Sequence, residues 1–85
     1  MIPTIGVYAG KGNLPLKVAK SIKDSGSDVF IIAIKGITDD RIEKFPHKWM
    51  RFGQIGLAMK TLNTNNCKEL VIIGGAYIPN FFLLF

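Results

Sequence analysis

Residues 10–15 form the segment of this chain whose residue types and spacing are best suited to hold a ligand. Two glycines flank a lysine in it. The segment reads Gly-Lys-Gly-Asn-Leu-Pro and follows an apolar stretch at residues 4–9. Glycines allow a sharp turn and a close approach to a ligand, and Lys11 adds a positive charge. Pro15 suits the start of a helix, whose free N–H groups favour a phosphate. The sequence therefore predicts an anion-binding loop, formed by Gly10, Lys11, Gly12, Asn13 and Leu14.

Two further glycine-containing segments stand where loops of the same kind are expected. Gly53 and Gln54 precede a predicted helix, and Gly74 and Gly75 follow the last predicted strand. In a parallel α/β sheet, ligands bind beyond the carboxyl ends of the strands, where all three segments would lie. We therefore predict that these four residues contact substrate together with the first loop. The alternative is that the glycines serve only tight turns between strands and helices.

A dinucleotide site is disfavoured by two departures from its fingerprint. The third glycine of that fingerprint is replaced by Pro15, and the acidic residue expected at the end of the second strand is replaced by Lys35. A lysine there would suit a 2′-phosphate, but the missing glycine also weakens that assignment. The P-loop pattern is absent from the sequence.

Other chemistry-bearing side chains are few, and the sequence predicts neither a catalytic residue nor a metal ligand among them. His47 is the single histidine and has no serine or cysteine nucleophile at a recognisable spacing. Asp39 and Asp40 could bind a metal, but their place before a helical stretch favours a helix cap, with Thr38 as the other capping candidate. The single cysteine, Cys67, excludes an internal disulfide and is expected to be a buried thiol.

Aromatic and basic residues alternate in residues 48–52, which read Lys-Trp-Met-Arg-Phe. Such interleaving can indicate nucleic-acid binding, but no recognised nucleic-acid motif is present, so no nucleic-acid partner is predicted. Trp49 and Phe52 are instead expected on the third strand, in the core or in an interface.

Hydrophobic periodicity predicts strands alternating with helices, in the order β-α-β-(short α)-β-α-β. This order is typical of an α/β, Rossmann-like parallel sheet of about four strands, with the more polar third strand at an edge. Helix-spaced apolar residues are expected to face the core, namely Leu14, Val18, Ala19 and Ile22 in the first helix and Ile55, Ala58, Met59 and Leu62 in the next long one. The predicted strands are residues 4–9, 28–34, 47–52 and 69–73, and the predicted short helix is residues 39–45.

The composition is that of one small folded domain: 85 residues, 48% hydrophobic and 20% charged. This balance excludes a disordered chain. The net charge of +5 arises mainly in residues 41–85, which hold six basic and two acidic residues. That excess indicates either a solvated surface or attraction to an anionic ligand or to nucleic acid. The longest apolar run, residues 29–34, is far shorter than the roughly 20 residues of a membrane-spanning helix.

Four motifs resemble, in order and spacing, the LpxI-type UDP-2,3-diacylglucosamine diphosphatases. Residues 5–15 resemble the opening of that family, an apolar strand followed by Ala-Gly-x-Gly-x-Leu-Pro. Residues 29–36 resemble its apolar strand before x-Gly, and residues 49–56 resemble its Trp-x-x-x-Gly-Gln-x-Gly segment. Residues 70–79 resemble its strand-Gly-Gly-x-x-x-Pro segment, although Ile78 stands where the family usually has a basic residue.

The resemblance implies a cytoplasmic enzyme of lipid A synthesis, a hydrolase of lipid metabolism. The family cleaves the pyrophosphate of UDP-2,3-diacylglucosamine to UMP and an acylated sugar phosphate, with a divalent metal such as magnesium. Its essential aspartate and metal-binding region lie in a larger C-terminal domain, and no position of this sequence matches them. The resemblance thus implies a Rossmann-like N-terminal domain at residues 1–80, whose glycine loops form either a substrate-side surface or a contact surface for the C-terminal domain. This fragment would bind no cofactor by itself and would be inactive without the C-terminal domain.

The last five residues, 81–85, are all bulky and apolar and stand where the family sequence continues. They are interpreted as a tail at a truncation point. Two other functions stay open from the sequence: a stand-alone module that binds a nucleotide or phosphate, and a small interaction protein that docks through this tail. An unprotected sheet edge and the tail also predict that the isolated chain forms homo-oligomers or aggregates.

Overall fold

A computed structural model describes residues 4–73 of the chain as a four-stranded parallel sheet with helices on both faces. The predicted α/β class and the element order are confirmed. In chain order the elements are β1 (Thr4–Ala9), α1 (Leu14–Asp24), β2 (Asp28–Ile34), a 3₁₀ helix (Asp40–Lys44), β3 (His47–Met50), α2 (Ile55–Thr64) and β4 (Cys67–Ile73). Gly74, Gly75 and the predicted tail at residues 81–85 lie outside the described residues.

The strands lie in the order β3-β2-β1-β4, so β1 and β2 are central and β3 lies at an edge, as predicted. The central strands are continuously apolar because both of their faces are covered. Ala9 lies beside Ala33 of β2 and beside Ile73 of β4, so the three strands reach the same level at their carboxyl ends. Ile34 of β2 lies beside Met50 of β3, which brings the fourth strand end to that level.

Each face of the sheet carries its own hydrophobic core. On one face, the buried members are Val7, Ala9, Ala19, Val29, Ile31, Ala33 and Ile42, from β1, α1, β2 and the 3₁₀ helix. On the other face, they are Tyr8, Ile32, Ile34, Met50, Ala58, Leu62 and Cys67, from the four strands and α2. The alternation of strand residues between the two faces therefore separates α1 from α2.

Gly6 sets the distance between α2 and the sheet. A Cβ built on Gly6 would lie 2.5 Å from Cδ2 of Leu62, closer than two carbon atoms can approach. Leu62 is fully buried, so it has no free volume into which to retreat. The absence of a side chain at position 6 thus lets α2 pack directly on the backbone of β1.

The first residue of each long helix departs from the predicted core face. Leu14 is 55% exposed and Ile55 is 46% exposed, whereas Pro15, Ala19, Ala58 and Leu62 are buried. Val18 and Met59 are half-buried. Both exposed residues stand where a helix emerges from a loop beyond a strand end, so little of the sheet lies beneath them. Periodicity identified the helices, but not where the sheet beneath them stops.

The third strand is shorter than predicted because a turn begins at Arg51. The strand ends at Met50, and the Gln54 N–H donates to the Arg51 carbonyl at 3.2 Å. Phe52 therefore lies in the turn and is 68% exposed, so its predicted place on the strand is wrong. Trp49 is half-buried on the strand, against the core of the α1 face. The fourth strand begins at Cys67, two residues before the predicted start.

Among residues 4–73, no helix is both long and apolar enough to cross a membrane.

Candidate functional site

The order of the strands marks the carboxyl end of β1 as the expected position of a ligand site. The neighbours of β1 are β2 and β4, and the connections that follow β1 and β3 run over opposite faces of the sheet. The strand order therefore reverses direction at β1. In open α/β sheets, a crevice forms outside the carboxyl ends of the strands at such a reversal, and ligands bind there. The predicted loop after β1 lies at this position.

The first residue of that loop, Gly10, is hydrogen-bonded to the sheet, whereas the three residues after it are exposed. The buried N–H of Gly10 donates to the carbonyl of Ile73 at 2.6 Å, which extends the pairing of β1 with β4. Lys11, Gly12 and Asn13 are exposed. Gly12 has φ of +96°, and nothing lies within 4 Å of a Cβ added to it. Its glycine is therefore required by backbone conformation rather than by space.

The start of α1 presents backbone N–H groups to this loop. Asn13 is the N-cap residue, and its side chain makes no capping hydrogen bond, although its carbonyl accepts from the Lys17 N–H at 3.2 Å. The first turn contains no acidic residue. The positive end of the helix dipole and its N–H donors are thus uncompensated by side chains, which is the arrangement that favours an anion.

A row of three basic residues follows the ends of β1, β2 and β3. Lys11 follows the end of β1 by two residues, and Lys35 and Arg51 directly follow β2 and β3. The Lys35 N–H donates to the Met50 carbonyl at 2.9 Å, which places Lys35 beside the end of β3. All three are exposed, and among the described residues none of them takes part in an ion pair. Neighbouring strands lie about 4.8 Å apart. The row therefore places three exposed cations at the carboxyl ends of the strands, which is the charge that favours an anion.

The loop after β2 is held by Thr38, whose hydroxyl joins the ends of two strands. The Thr38 hydroxyl donates to the carbonyl of Ala9 at 2.6 Å and accepts from the N–H of Ile34 at 2.7 Å. Thr38 is buried, so these bonds satisfy groups that water does not reach. From the sequence, Thr38 is expected only as a helix cap. Its position four residues after a strand end was a weak signal for this role.

Asp39, rather than Thr38, caps the 3₁₀ helix, in agreement with the capping role predicted for that region. Its carboxylate accepts from the backbone N–H of Arg41 at 2.9 Å and from the guanidinium at 2.7 Å. These hydrogen bonds to Arg41 lower the pKa of Asp39 from 3.8 to about 2. The Asp39 carboxylate is thus engaged in a local ion pair.

The predicted site residues Gly53 and Gln54 form the turn that follows β3. Gly53 has φ of +91°, and the side-chain oxygen of Gln54 accepts from the Arg51 N–H at 2.7 Å. That oxygen therefore stabilises the turn. The structure places both residues at the carboxyl edge, with the loop after β1, and their contact with substrate stays a prediction.

His47 and Cys67 lie at the amino-terminal ends of the parallel strands, opposite the carboxyl ends, since each is the first residue of its strand. Nδ1 of His47 lies 2.7 Å from the carbonyl of Phe45, and Glu43 accepts from the Trp49 indole at 2.7 Å. Burial raises the pKa of the Cys67 thiol, which keeps it protonated and a poor nucleophile. The topology therefore separates these side chains from the loop after β1.

A divalent metal is implied by the family that the sequence resembles, but the described residues do not fit one. Within residues 4–73, no three His, Cys, Asp or Glu side chains come together as ligands. Asp39, which follows β2, is already paired with Arg41. No step of a reaction is derived through a metal from this part of the chain.

Comparison with known proteins assigns the chain to a family. The sequence model of the LpxI N-terminal domain matches residues 4–84. The chain is also similar to the UDP-2,3-diacylglucosamine pyrophosphatase LpxI of Caulobacter vibrioides, with 24% identity over 77 residues. That alignment covers 91% of this chain and 28% of the relative, so the chain spans little more than a quarter of the relative's length. The match over nearly all residues of the chain, together with its α/β sheet, shows that the chain belongs to the LpxI N-terminal domain family.

Proposed function

We propose that this chain supplies the nucleotide-side loops of a UDP-2,3-diacylglucosamine diphosphatase of lipid A biosynthesis. The observation that carries the proposal is the family match over residues 4–84, which includes every described residue. The Caulobacter relative bears that activity in its name. The substrate would bring a pyrophosphate group to the carboxyl edge of the sheet.

The loop after β1 is suited to hold that group. Gly12 gives the loop its left-handed turn, and α1 begins directly after the loop with no side-chain cap from Asn13. Lys11 adds a full charge that is exposed and, within the described chain, unpaired. Backbone donors and one flexible cation bind a phosphate without performing chemistry on it. The proposed role of these residues is therefore binding and orientation.

Hydrolysis itself is proposed to require residues outside this chain. The single histidine and the single cysteine of the chain, His47 and Cys67, begin β3 and β4 and so lie at the other end of the strands from the loop. Magnesium is proposed as the cofactor of the whole family enzyme, held by its larger C-terminal domain. The chain alone would then bind the nucleotide portion weakly and release no UMP. A cytoplasmic location is proposed with this role.

Titration of the isotopically labelled 85-residue chain with UDP tests the binding role by amide NMR. The expected result is a set of saturable shifts at Lys11, Gly12 and Leu14, with a dissociation constant in the millimolar range. Inorganic phosphate should shift the same amides, and uridine should not. Two results would contradict the proposal. One is a set of shifts confined to residues near His47, at the amino-terminal ends of the strands. The other is no shift when UDP is in about 10-fold excess over a protein concentration of about 1 mM.

An assay with UDP-2,3-diacylglucosamine and magnesium tests the claim about catalysis separately. No UMP should form above the rate without protein. Turnover by the chain alone would show that the catalytic groups are within it and would overturn the assignment of hydrolysis to the C-terminal domain.

Binding of NADP more tightly than UDP would instead favour the stand-alone nucleotide-binding module. Lys35, at the end of β2, is the one observation that favours this second candidate, since it stands where a 2′-phosphate would be recognised. Titration calorimetry with NADP and with NAD tests this second candidate, because NAD lacks the 2′-phosphate. A stand-alone module that uses Lys35 should bind NADP more tightly than NAD.

A further inference from the structure

The single histidine of the chain lies beside a carboxylate where the 3₁₀ helix leads into the edge strand β3. Nε2 of His47 lies 3.8 Å from Oε2 of Glu43. The same carboxylate oxygen accepts from Nε1 of Trp49 at 2.7 Å. We call these three side chains, Glu43, His47 and Trp49, the β3 cluster. Neither the proposed phosphate loop nor the turn after β3 makes use of it.

A backbone carbonyl determines which ring nitrogen of His47 carries the proton. Nδ1 of His47 lies 2.7 Å from the carbonyl oxygen of Phe45. Because a carbonyl oxygen can only accept, Nδ1 donates, and Nε2 of the neutral ring keeps its lone pair. At 3.8 Å, Nε2 and the Glu43 oxygen are too far apart for a hydrogen bond. Two electron-pair donors are thus adjacent without a bond between them, and a shared cation would satisfy both.

The separation of the two atoms suits a divalent transition metal. Such an ion binds imidazole nitrogen at about 2.0–2.1 Å and carboxylate oxygen at about 2.0–2.2 Å. With those bond lengths, atoms 3.8 Å apart would subtend an angle of about 130° at the ion. A movement of about 0.4 Å by the flexible Glu43 side chain would give the tetrahedral angle. The backbone therefore needs no rearrangement for both side chains to reach one ion.

Both side chains carry the outer hydrogen bonds that orient metal ligands in proteins. A metal-bound histidine usually donates its second ring N–H to a carbonyl or a carboxylate, as His47 does to Phe45. A metal-bound carboxylate is usually hydrogen-bonded in turn, as Glu43 is by the Trp49 indole. Phe45 and Trp49 both pack against the core on the α1 face. The groups that orient the two side chains are therefore themselves held by the fold.

The surroundings of the β3 cluster leave room for an ion and for water. The side chain of His47 is 25% exposed and that of Glu43 is 53% exposed. Within residues 4–73, no lysine or arginine pairs with Glu43, so no fixed cation neutralises its charge. Lys48 lies on the opposite face of β3, because successive strand residues alternate between the faces. Solvent can thus complete the coordination of an ion held by the pair.

We propose that His47 and Glu43 bind one divalent transition metal ion, of the class of Zn²⁺ and Ni²⁺, together with water. Neutral imidazole suits such ions, whereas Mg²⁺ prefers oxygen ligands. The pair supplies two protein ligands, and no third His, Cys, Asp or Glu joins them among the described residues, so water takes the other positions. The proposal goes beyond the proposed function and does not depend on it.

A proton is the other cation that could join the two side chains. Protonation of Nε2 would convert the contact into an exposed ion pair, and such pairs contribute little to stability. The two cations are separated by working at pH 7.5, where a histidine of ordinary character is mostly neutral. A metal ion then competes with few protons for Nε2.

Quenching of Trp49 fluorescence by Ni²⁺ tests the proposal, because Trp49 is the single tryptophan of the chain. Its ring centroid lies 6.4 Å from that of His47, close enough for a paramagnetic ion on His47 to quench it. With the 85-residue chain free of any affinity tag, quenching should saturate with a dissociation constant on the order of 0.1 mM. Zn²⁺, which has a closed d shell, should reverse the quenching, and about 10 mM Mg²⁺ should not.

Variants of the two ligands and one matched control locate the site. His47→Gln should abolish saturable quenching, and Glu43→Gln should weaken Ni²⁺ binding about tenfold while keeping an oxygen for the Trp49 indole. Asp40→Asn removes a carboxylate from the same 3₁₀ helix, outside the β3 cluster, and should change the affinity less than about twofold. Circular dichroism confirms the fold of each variant. If a variant fails to fold, shifts of the His47 ring protons with Zn²⁺ in the parent chain decide.

Three outcomes would overturn the proposal. The first is no saturable quenching up to about 1 mM Ni²⁺. The second is equal affinity in the parent and in Glu43→Gln, which would show adventitious binding to the histidine alone. The third is Trp49 emission that responds to pH but not to Ni²⁺ or Zn²⁺, which would identify a proton as the only cation that the β3 cluster takes.

Discussion

The loops that follow β1 and β2 leave the same edge of the sheet, yet they are built in opposite ways. The loop after β2 is held internally: the Thr38 hydroxyl bridges two strand ends, and Asp39 pairs with Arg41. The loop after β1 is tied to the sheet at Gly10 and to α1 through the Asn13 carbonyl, and its residues Lys11, Gly12 and Asn13 are exposed. The first loop leaves polar groups available to a ligand, whereas the second satisfies its own.

The difference shows how a small domain divides stability and binding between neighbouring loops. Thr38 reaches the carbonyl of Ala9, so the rigid loop fixes the last residue of β1, immediately before the open loop begins. The open loop can therefore keep donors that have no partner among residues 4–73 without losing its position. Substitutions should separate the two properties, with stability changing in one loop and affinity in the other.

The largest effect on stability is expected from Thr38→Val. The substitution keeps the shape of the side chain but leaves a buried N–H and a buried carbonyl without a partner, at a cost of about 3 kcal/mol. Thr38→Ser, which keeps the hydroxyl, should lose about 1 kcal/mol. Urea unfolding followed by circular dichroism measures both, and equal losses in the two variants would show that the hydroxyl bridge is not the stabilising group.

A smaller loss of stability is expected from Gly12→Ala in the open loop. Space is available for the methyl group, but φ of +96° is unfavourable for an L-residue, so the cost should be about 1 to 2 kcal/mol. Chemical synthesis with D-alanine at position 12 provides the matched control, because a D-residue adopts positive φ readily. The D-alanine chain should unfold at the urea concentration of the parent or above it. Similar losses for both forms would point to crowding instead.

Lys11→Gln should change affinity and leave stability almost unaffected. Its side chain is exposed, so the free energy of unfolding should stay within about 0.5 kcal/mol of the parent. Loss of one charged contact to phosphate should weaken UDP binding about fivefold, or about 1 kcal/mol. Lys20→Gln, which removes a charge from α1, should weaken it far less in the same NMR titration. An equal effect of the two variants would assign the binding to net charge alone.

The smallest effect concerns the pH dependence of the rigid loop. The pKa of Asp39 is lowered to about 2 from 3.8 by Arg41, so the folded chain holds the carboxylate charged more strongly than the unfolded chain does. This contribution to stability is complete above about pH 4 and is lost as the pH falls towards 2. Asp39→Asn, which can still cap the helix, should lose less stability than the parent between pH 6 and pH 2.5 in urea unfolding. Identical losses would contradict the role of this pair.

The order of elements followed from the sequence because period and turn residues act locally. Residues 28–34, β-branched and apolar, form β2 as predicted, and Gly10 and Gly26 mark real ends of elements. The exposure of Leu14 and Ile55 did not follow, since it depends on where the sheet ends beneath each helix. Such a boundary is a property of packing and leaves no mark in the periodicity of one segment.

The candidate site was predictable in its backbone and less so in its side chains. The glycines at 10, 12 and 53 indicated turns at the carboxyl edge, and the structure places turns there. The common placement of Lys11, Lys35 and Arg51 at one end of the sheet required the parallel strand pairing, and the bridge made by Thr38 joins residues 29 positions apart. Long-range pairings of this kind are fixed by the whole fold, so local sequence patterns do not predict them.

The central place of β1 in the sheet also has a consequence for synthesis on the ribosome. β1 is the first described strand to emerge, but one of its two neighbours is β4, whose paired residues lie more than 60 positions later. Until β4 is translated, one edge of β1 has no partner, and the carbonyl that fixes Gly10 does not yet exist. The nascent chain can form β1, α1 and β2 early, but the proposed phosphate loop reaches its final geometry only after residue 73 has left the exit tunnel.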